Sequence, residues 1–100
     1  MNKQEKEAIQ QEIIDCLASE QEVKKIVVFG SFVHSSSPHD IDIAVYQESD
    51  EAYLPLALKY RKKTRHIARR IPLDIFPLKK GAAASPFLSE IAGGITVYER

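Results

Sequence analysis

Ile26-Val27-Val28-Phe29-Gly30-Ser31 and, after a serine-rich interval, Asp40-Ile41-Asp42-Ile43-Ala44-Val45 lie in the first half of a 100-residue chain. The first run is β-branched and aromatic over four consecutive residues, the pattern of a strand covered on both faces, and Gly30 ends it. In the second, Ile41, Ile43 and Val45 alternate with Asp40, Asp42, Ala44 and Tyr46, a period of two that predicts another strand. Between them, Ser31 is a good cap for a short helix, and the serines before Pro38 mark a turn. Asp40 and Asp42 stand two apart on a strand, so their carboxylates leave the same face. Neighbouring like charges oppose each other's ionisation, and a divalent cation is the evident compensation.

Working outward, Ile9, Ile13, Cys16 and Leu17 recur at helical spacing and predict a helix over about residues 3–19. Residues 51–70 carry Tyr53, Leu56, Ala57, Tyr60, Thr64, Ile67 and Ala68 on one helical stripe, with the regular helix starting near Pro55 and stopped by Pro72. Leu73-Asp74-Ile75-Phe76 predicts a third strand, closed by Pro77. Residues 79–84 read as a loop, Ser85-Pro86 as a helix start, Gly93-Gly94 as its stop, and Ile95-Thr96-Val97-Tyr98 as a last strand. Helices alternating with strands predict an α/β (α+β) architecture, a sheet of about four strands packed by helices, in a single domain over residues 1–100.

Composition narrows the function. Fourteen Lys+Arg balance fourteen Asp+Glu, which argues against a general polyanion binder. Cys16 is the only cysteine, so the chain has no internal disulfide and no Cys-rich zinc site. No apolar run is long enough to span a bilayer and no signal peptide is readable, so a cytoplasmic, reducing setting is expected. The charge is nevertheless split. Residues 1–22 hold six acids against two lysines, whereas residues 59–70 hold seven bases and no acid. Such a split often marks a face that meets an anion or an acidic partner.

A third carboxylate, Asp74, interrupts an otherwise apolar strand. If that strand lies beside the one opened by Asp40 and Asp42, a three-carboxylate cluster results. Such clusters hold two metal ions roughly 3.5–4 Å apart, the arrangement for in-line displacement at phosphorus. Gly30 lets a phosphate approach the backbone, and Ser31 opens a strand-to-helix turn whose amides face an anion.

With these parts in place, Phe29-Gly30-Ser31-Phe32, Asp40-Ile41-Asp42-Ile43-Ala44-Val45 and Leu73-Asp74-Ile75 together resemble the polymerase-β-type nucleotidyltransferase superfamily. Length and pattern point to its minimal nucleotidyltransferase (MNT) branch, often paired with a HEPN-domain toxin. The resemblance spans about residues 24–76. It implies a polymerase-β-like fold with a mixed sheet. It also implies Mg2+ (two ions), ATP as substrate, and transfer of AMP to a hydroxyl of a protein partner, a HEPN toxin that the chain counteracts as antitoxin. By resemblance, Asp40, Asp42 and Asp74 are the metal ligands and catalytic carboxylates, with Asp74 as the base, and Gly30 and Ser31 hold the triphosphate. Two features depart from the family pattern. The eight residues between Ser31 and Asp40 form a short spacer, and Phe32-Val33-His34-Ser35 stands where Arg-Gly is often found.

Alternative readings are a binding module that masks its partner without catalysis, and nucleotidyl transfer to an RNA end guided by the basic helix. Nucleic acid is the less favoured partner, because the chain is small and its net charge zero. By default the basic face is a solvated surface, Tyr53 and Tyr60 are core residues, and Cys16 is a small buried hydrophobe. His34, His39 and His66 read as surface or loop residues, with His39 placed to tune a metal shell beside Asp40.

Overall fold

A computed structural model describes residues 1–81 and 91–100 of the chain. Four strands, β1 (Val23–Phe29), β2 (Ile41–Gln47), β3 (Leu73–Lys79) and β4 (Ile95–Glu99), form one sheet in the order β3-β2-β1-β4. β1 pairs antiparallel with both β2 and β4, while β2 and β3 run parallel, so the sheet is mixed. The helices are α1 (Lys3–Leu17), α2 (Ser31–His34), α3 (Tyr53–Lys63) and α4 (Arg65–Ala68). No helix among the described residues is long and apolar enough to cross a membrane.

The alternation of β1 and β2 decides what each face buries. Ile26 and Val28 of β1, with Ile41, Ile43 and Val45 of β2, pack against Ile9, Ile13 and Leu17 of α1 and Leu56 and Tyr60 of α3. Val27, Phe29 and Ala44 point the other way into a smaller cluster with Ile91, flanked by Tyr46, Phe76 and Leu78. The unbroken apolar run of β1 therefore serves two layers, whereas β2 buries its isoleucines on one face and leaves Asp42 half-buried on the other. Gly94 enters β4 where a Cβ would come within 2.5 Å of the Val28 carbonyl oxygen, so this approach needs glycine.

α1 starts on a capping box: the Asn2 side chain accepts from the Glu5 N–H at 2.8 Å, and the Glu5 carboxylate accepts from the Asn2 N–H at 3.2 Å. The stretch expected as one helix over 51–70 is instead two. Thr64 is buried and its hydroxyl donates to the Tyr60 carbonyl at 2.8 Å, competing with the helical ladder where the break occurs. Tyr53, expected in the core, is 54% exposed. Helical side chains lean toward the N-terminus, so that of the first residue of α3 projects beyond the turn that packs. β3 also runs past Pro77, which faces Val45 in the ladder. At a sheet edge one side of the backbone is unpaired, so a residue without an N–H is tolerated there. The expected helix start at Ser85-Pro86 lies outside the described residues.

Half of the charge split is resolved within the chain. Lys59 pairs with Glu22 at 2.8 Å and Glu51 at 3.2 Å, Lys63 with Glu20 at 2.9 Å, and Arg70 with Glu12. The buried Tyr60 hydroxyl donates to Glu22 at 2.9 Å. Partial burial pushes the Glu22 carboxyl up, but hydrogen bonds from Lys59, its own backbone and Tyr60 outweigh this and hold it below 4.5. Lys59 is raised above its ordinary value by the same contact with Glu22. Burial first, then Glu22, raises the Tyr60 phenol. Cys16 is half-buried, with Sγ 3.8 Å from Nε2 of His66, and burial raises its thiol.

Because the Glu22 pKa is depressed on folding, its contribution is complete above the unfolded value and disappears as pH falls through the folded one. Tyr60→Phe keeps the ring but removes the donor, and is expected to cost about 1–2 kcal/mol at neutral pH. Urea unfolding at pH 7 and in acid checks this: the gap between variant and wild type narrows once Glu22 is protonated. A gap of the same size at both pH values would assign the loss to packing.

Candidate metal and nucleotide site

The carboxylates gather at one end of the sheet. The parallel ladder sets Asp42 directly beside Asp74, and Phe29, the residue before Gly30, is the antiparallel partner of Asp42 on its other side. Asp40 falls just before β2 rather than on it, where the Ile41 N–H donates to the Pro72 carbonyl at 2.9 Å. Oxygen atoms of Asp40, Asp42 and Asp74 all lie within 4.8 Å of one another. Asp40 and Asp42 are half-buried and Asp74 is exposed. Three hard oxygen donors at this spacing repel one another when ionised and fit a hard divalent cation.

All five residues singled out in the sequence meet here. Gly30 has φ +80° and ψ −155°, a backbone region closed to most side chains. A Cβ there would lie 2.5 Å from Oδ2 of Asp42. The sequence reading gave Gly30 the task of admitting phosphate to the backbone; the structure adds that the missing Cβ makes room for the Asp42 carboxylate. Ser31 begins α2 and is exposed, and its hydroxyl donates to Oδ1 of Asp40 at 3.3 Å. The turn after β1 and the start of β2 are thereby tied across the loop. His34 and His39 are exposed, as expected.

Lys6 is a contributor that the sequence reading missed. From α1 its ammonium donates to the Ser35 carbonyl at 2.6 Å and sits 5.5 Å above the Phe32 ring. It thus holds the short loop that has no Lys or Arg between Ser31 and Asp40. A groove of about 530 Å³, lined by residues including Lys3, Lys6, Phe32 and His34, opens beside that loop. No local signal announces Lys6, because it meets Ser35 from 29 positions away.

Gly30→Ala should displace Asp42 as well as strain the turn. We expect a loss of about 1–3 kcal/mol in thermal unfolding, together with weakened Mn2+ binding by titration calorimetry. Unaltered Mn2+ affinity would separate Gly30 from the carboxylate geometry.

Known structures share this fold. One chain of a tri-AMPylated Shewanella oneidensis HEPN toxin in complex with MNT antitoxin superposes with a TM-score of 0.62 at 18% identity, covering 95% of this chain and 73% of that one. A toxin–antitoxin structure with AMP-PNP gives a TM-score of 0.64 at 19% identity, over 91% of this chain and 73% of that one. A Sulfolobus solfataricus protein, provisionally assigned as a nucleotidyltransferase, gives 0.59 at 14% identity, over 95% and 80%. At such identities the likeness speaks for the fold. No curated protein sequence matches the chain. The sequence model of the family described as "Polymerase beta, Nucleotidyltransferase" matches residues 11–100, and the chain belongs to that family.

Proposed function

We propose that the chain transfers AMP from ATP to a hydroxyl of a protein partner, a HEPN-domain toxin, and so acts as a cytoplasmic antitoxin. The observation that carries this reading is the pairing of Asp42 with Asp74, joined by Asp40, beside the Gly30-Ser31 turn. The family and the neighbours agree with it: one neighbour is a complex holding an AMPylated HEPN toxin, another is a toxin–antitoxin structure with AMP-PNP.

Asp40, Asp42 and Asp74 would hold Mg2+, two ions in this reading, which supplies charge neutralisation on the triphosphate. Gly30 leaves Asp42 its place, and Ser31, already bonded to Asp40, presents its hydroxyl and the following turn to the phosphates. The acceptor oxygen forms a bond to the α-phosphorus. The bond from that phosphorus to the β-bridging oxygen breaks, and pyrophosphate leaves with the electron pair. The hydroxyl proton passes to Asp74, the most exposed of the three carboxylates and so the one facing an incoming acceptor. Most of the rate gain comes from positioning and electrostatics rather than covalent catalysis.

A second reading, masking of the partner without transfer, draws on the loop: no Lys or Arg lies between Ser31 and Asp40 to meet the triphosphate. One experiment separates the two. The purified chain is incubated with a purified HEPN-domain protein, Mg2+ and ATP labelled on the α-phosphate. Label on the partner is expected, lost by at least about a hundredfold with Asp42→Asn and with EDTA. The variant should stay folded, since the amide matches the carboxylate in shape. Transfer at the wild-type rate by Asp42→Asn would overturn the site assignment. No label from wild type that still binds the partner would establish masking.

A further inference from the structure

The bases of residues 59–70 fall into two sets. Lys59, Lys63 and Arg70 are neutralised by Glu20, Glu22, Glu51 and Glu12. Arg61, Lys62, Arg65 and Arg69 are exposed and make no ion pair among the described residues. No acid occurs between Glu51 and Asp74, so α3 and α4 carry no acid to balance them. On the outer side of α3, Leu54 and Leu58 are 62% and 54% exposed. A single exposed leucine is ordinary, but two leucines one turn apart form an apolar strip on the helix surface. Leu54, Leu58, Arg61 and Lys62 stand at i, i+4, i+7 and i+8, one stripe that is apolar at its start and cationic at its end. Bases in the last turn also suit the helix dipole. That accounts for Arg61 and Lys62 but not for the leucines.

We propose that this stripe is the docking surface for the acceptor protein, which presents to it an amphipathic segment with apolar residues at one end and carboxylates at the other. The inference rests on the acceptor being a protein. A helix laid along α3 would cover the leucines and complement Arg61 and Lys62, the recognition mode of helix-in-groove contacts with charge setting orientation. The chain runs from this stripe through α4 to the strand that carries Asp74. α4 ends at Ala68, Pro72 is bonded to Ile41 at the start of β2, and β3 then reaches Asp74. α3 packs on the helix-covered face of the sheet and Asp74 lies on the opposite one, so a protein held on the stripe reaches the carboxylates past the β3 edge. RNA would use the cations but leave Leu54 and Leu58 without a role.

The test titrates the full chain with purified HEPN-domain protein in the absence of ATP, and measures label transfer in parallel. Arg61→Glu combined with Lys62→Glu, and separately Leu58→Asp, are expected to stay folded with the melting temperature lowered by only a few degrees, since all three positions are exposed and only the helix-dipole contacts of the two bases are lost. Both variants should weaken partner binding and raise KM for the acceptor at least about tenfold with kcat unchanged. Added salt should weaken wild type and spare the charge-reversed variant. Unchanged partner affinity in both variants overturns the proposal, as does wild type that does not bind the partner. Loss of affinity for a single-stranded RNA oligonucleotide with partner binding intact overturns it in favour of nucleic acid. If wild type transfers no label but the affinity losses stand, the catalytic reading fails and the docking surface remains.

Discussion

The parallel pairing of β2 with β3 is the constraint on which the site depends. A carboxylate on each strand reaches the same point only because Asp42 and Asp74 are register partners. A slip of one residue would turn Asp74 toward the helices and expose Ile75, so the apolar face polices the placement of the acids. Parallel neighbours cannot be joined by a tight turn, and α3 and α4 supply the return path. The same crossover carries the helical face that buries Leu56 and Tyr60 and the outer stripe left to solvent. Core, site and exposed surface are thus three consequences of one connection.

The other side of Asp42 is governed by an absence. Gly30 lacks the Cβ that would meet the Asp42 carboxylate, and its positive φ turns the chain directly into α2. Ser31 then reaches back to Asp40. Lys6 fastens the loop from outside, through a carbonyl rather than through any site side chain. The loop is short and without Lys or Arg of its own, and α1 supplies the ammonium that holds it.

Charge is arranged by the same logic. The acids of the first 22 residues look, in one dimension, like one half of an intermolecular match. Folding brings several of them to Lys59 and Lys63 of α3, around the buried Tyr60 hydroxyl, and to Arg70 after α4. Exposed ion pairs of this type contribute little individually. The contact of Tyr60 with Glu22 is stronger because it is largely withdrawn from water. What is left unneutralised is the outer set of bases, the part of the charge split that faces outward.

Much of this was legible residue by residue. The β-branched run before Gly30, the alternation after Asp40 and the isolated acid at Asp74 specify strands and carboxylate faces, because side-chain direction along a strand follows from backbone geometry alone. Breaker residues such as Pro55 and Pro72 placed helix ends for equally local reasons. Three features were not legible. Thr64 breaks its helix because a buried hydroxyl finds the Tyr60 carbonyl, and Pro77 continues its strand because β3 is an edge; both depend on what lies alongside. Tyr53 is exposed because the packed part of α3 begins one turn later. The sequence by itself determined the strands, the facing of their side chains and which acids were available. Only the tertiary structure decided that Asp42 stands beside Asp74, that Gly30 yields its space to Asp42, and which bases are already paired. Those outcomes depend on contacts between residues far apart in the chain, and no local pattern encodes the distance between them.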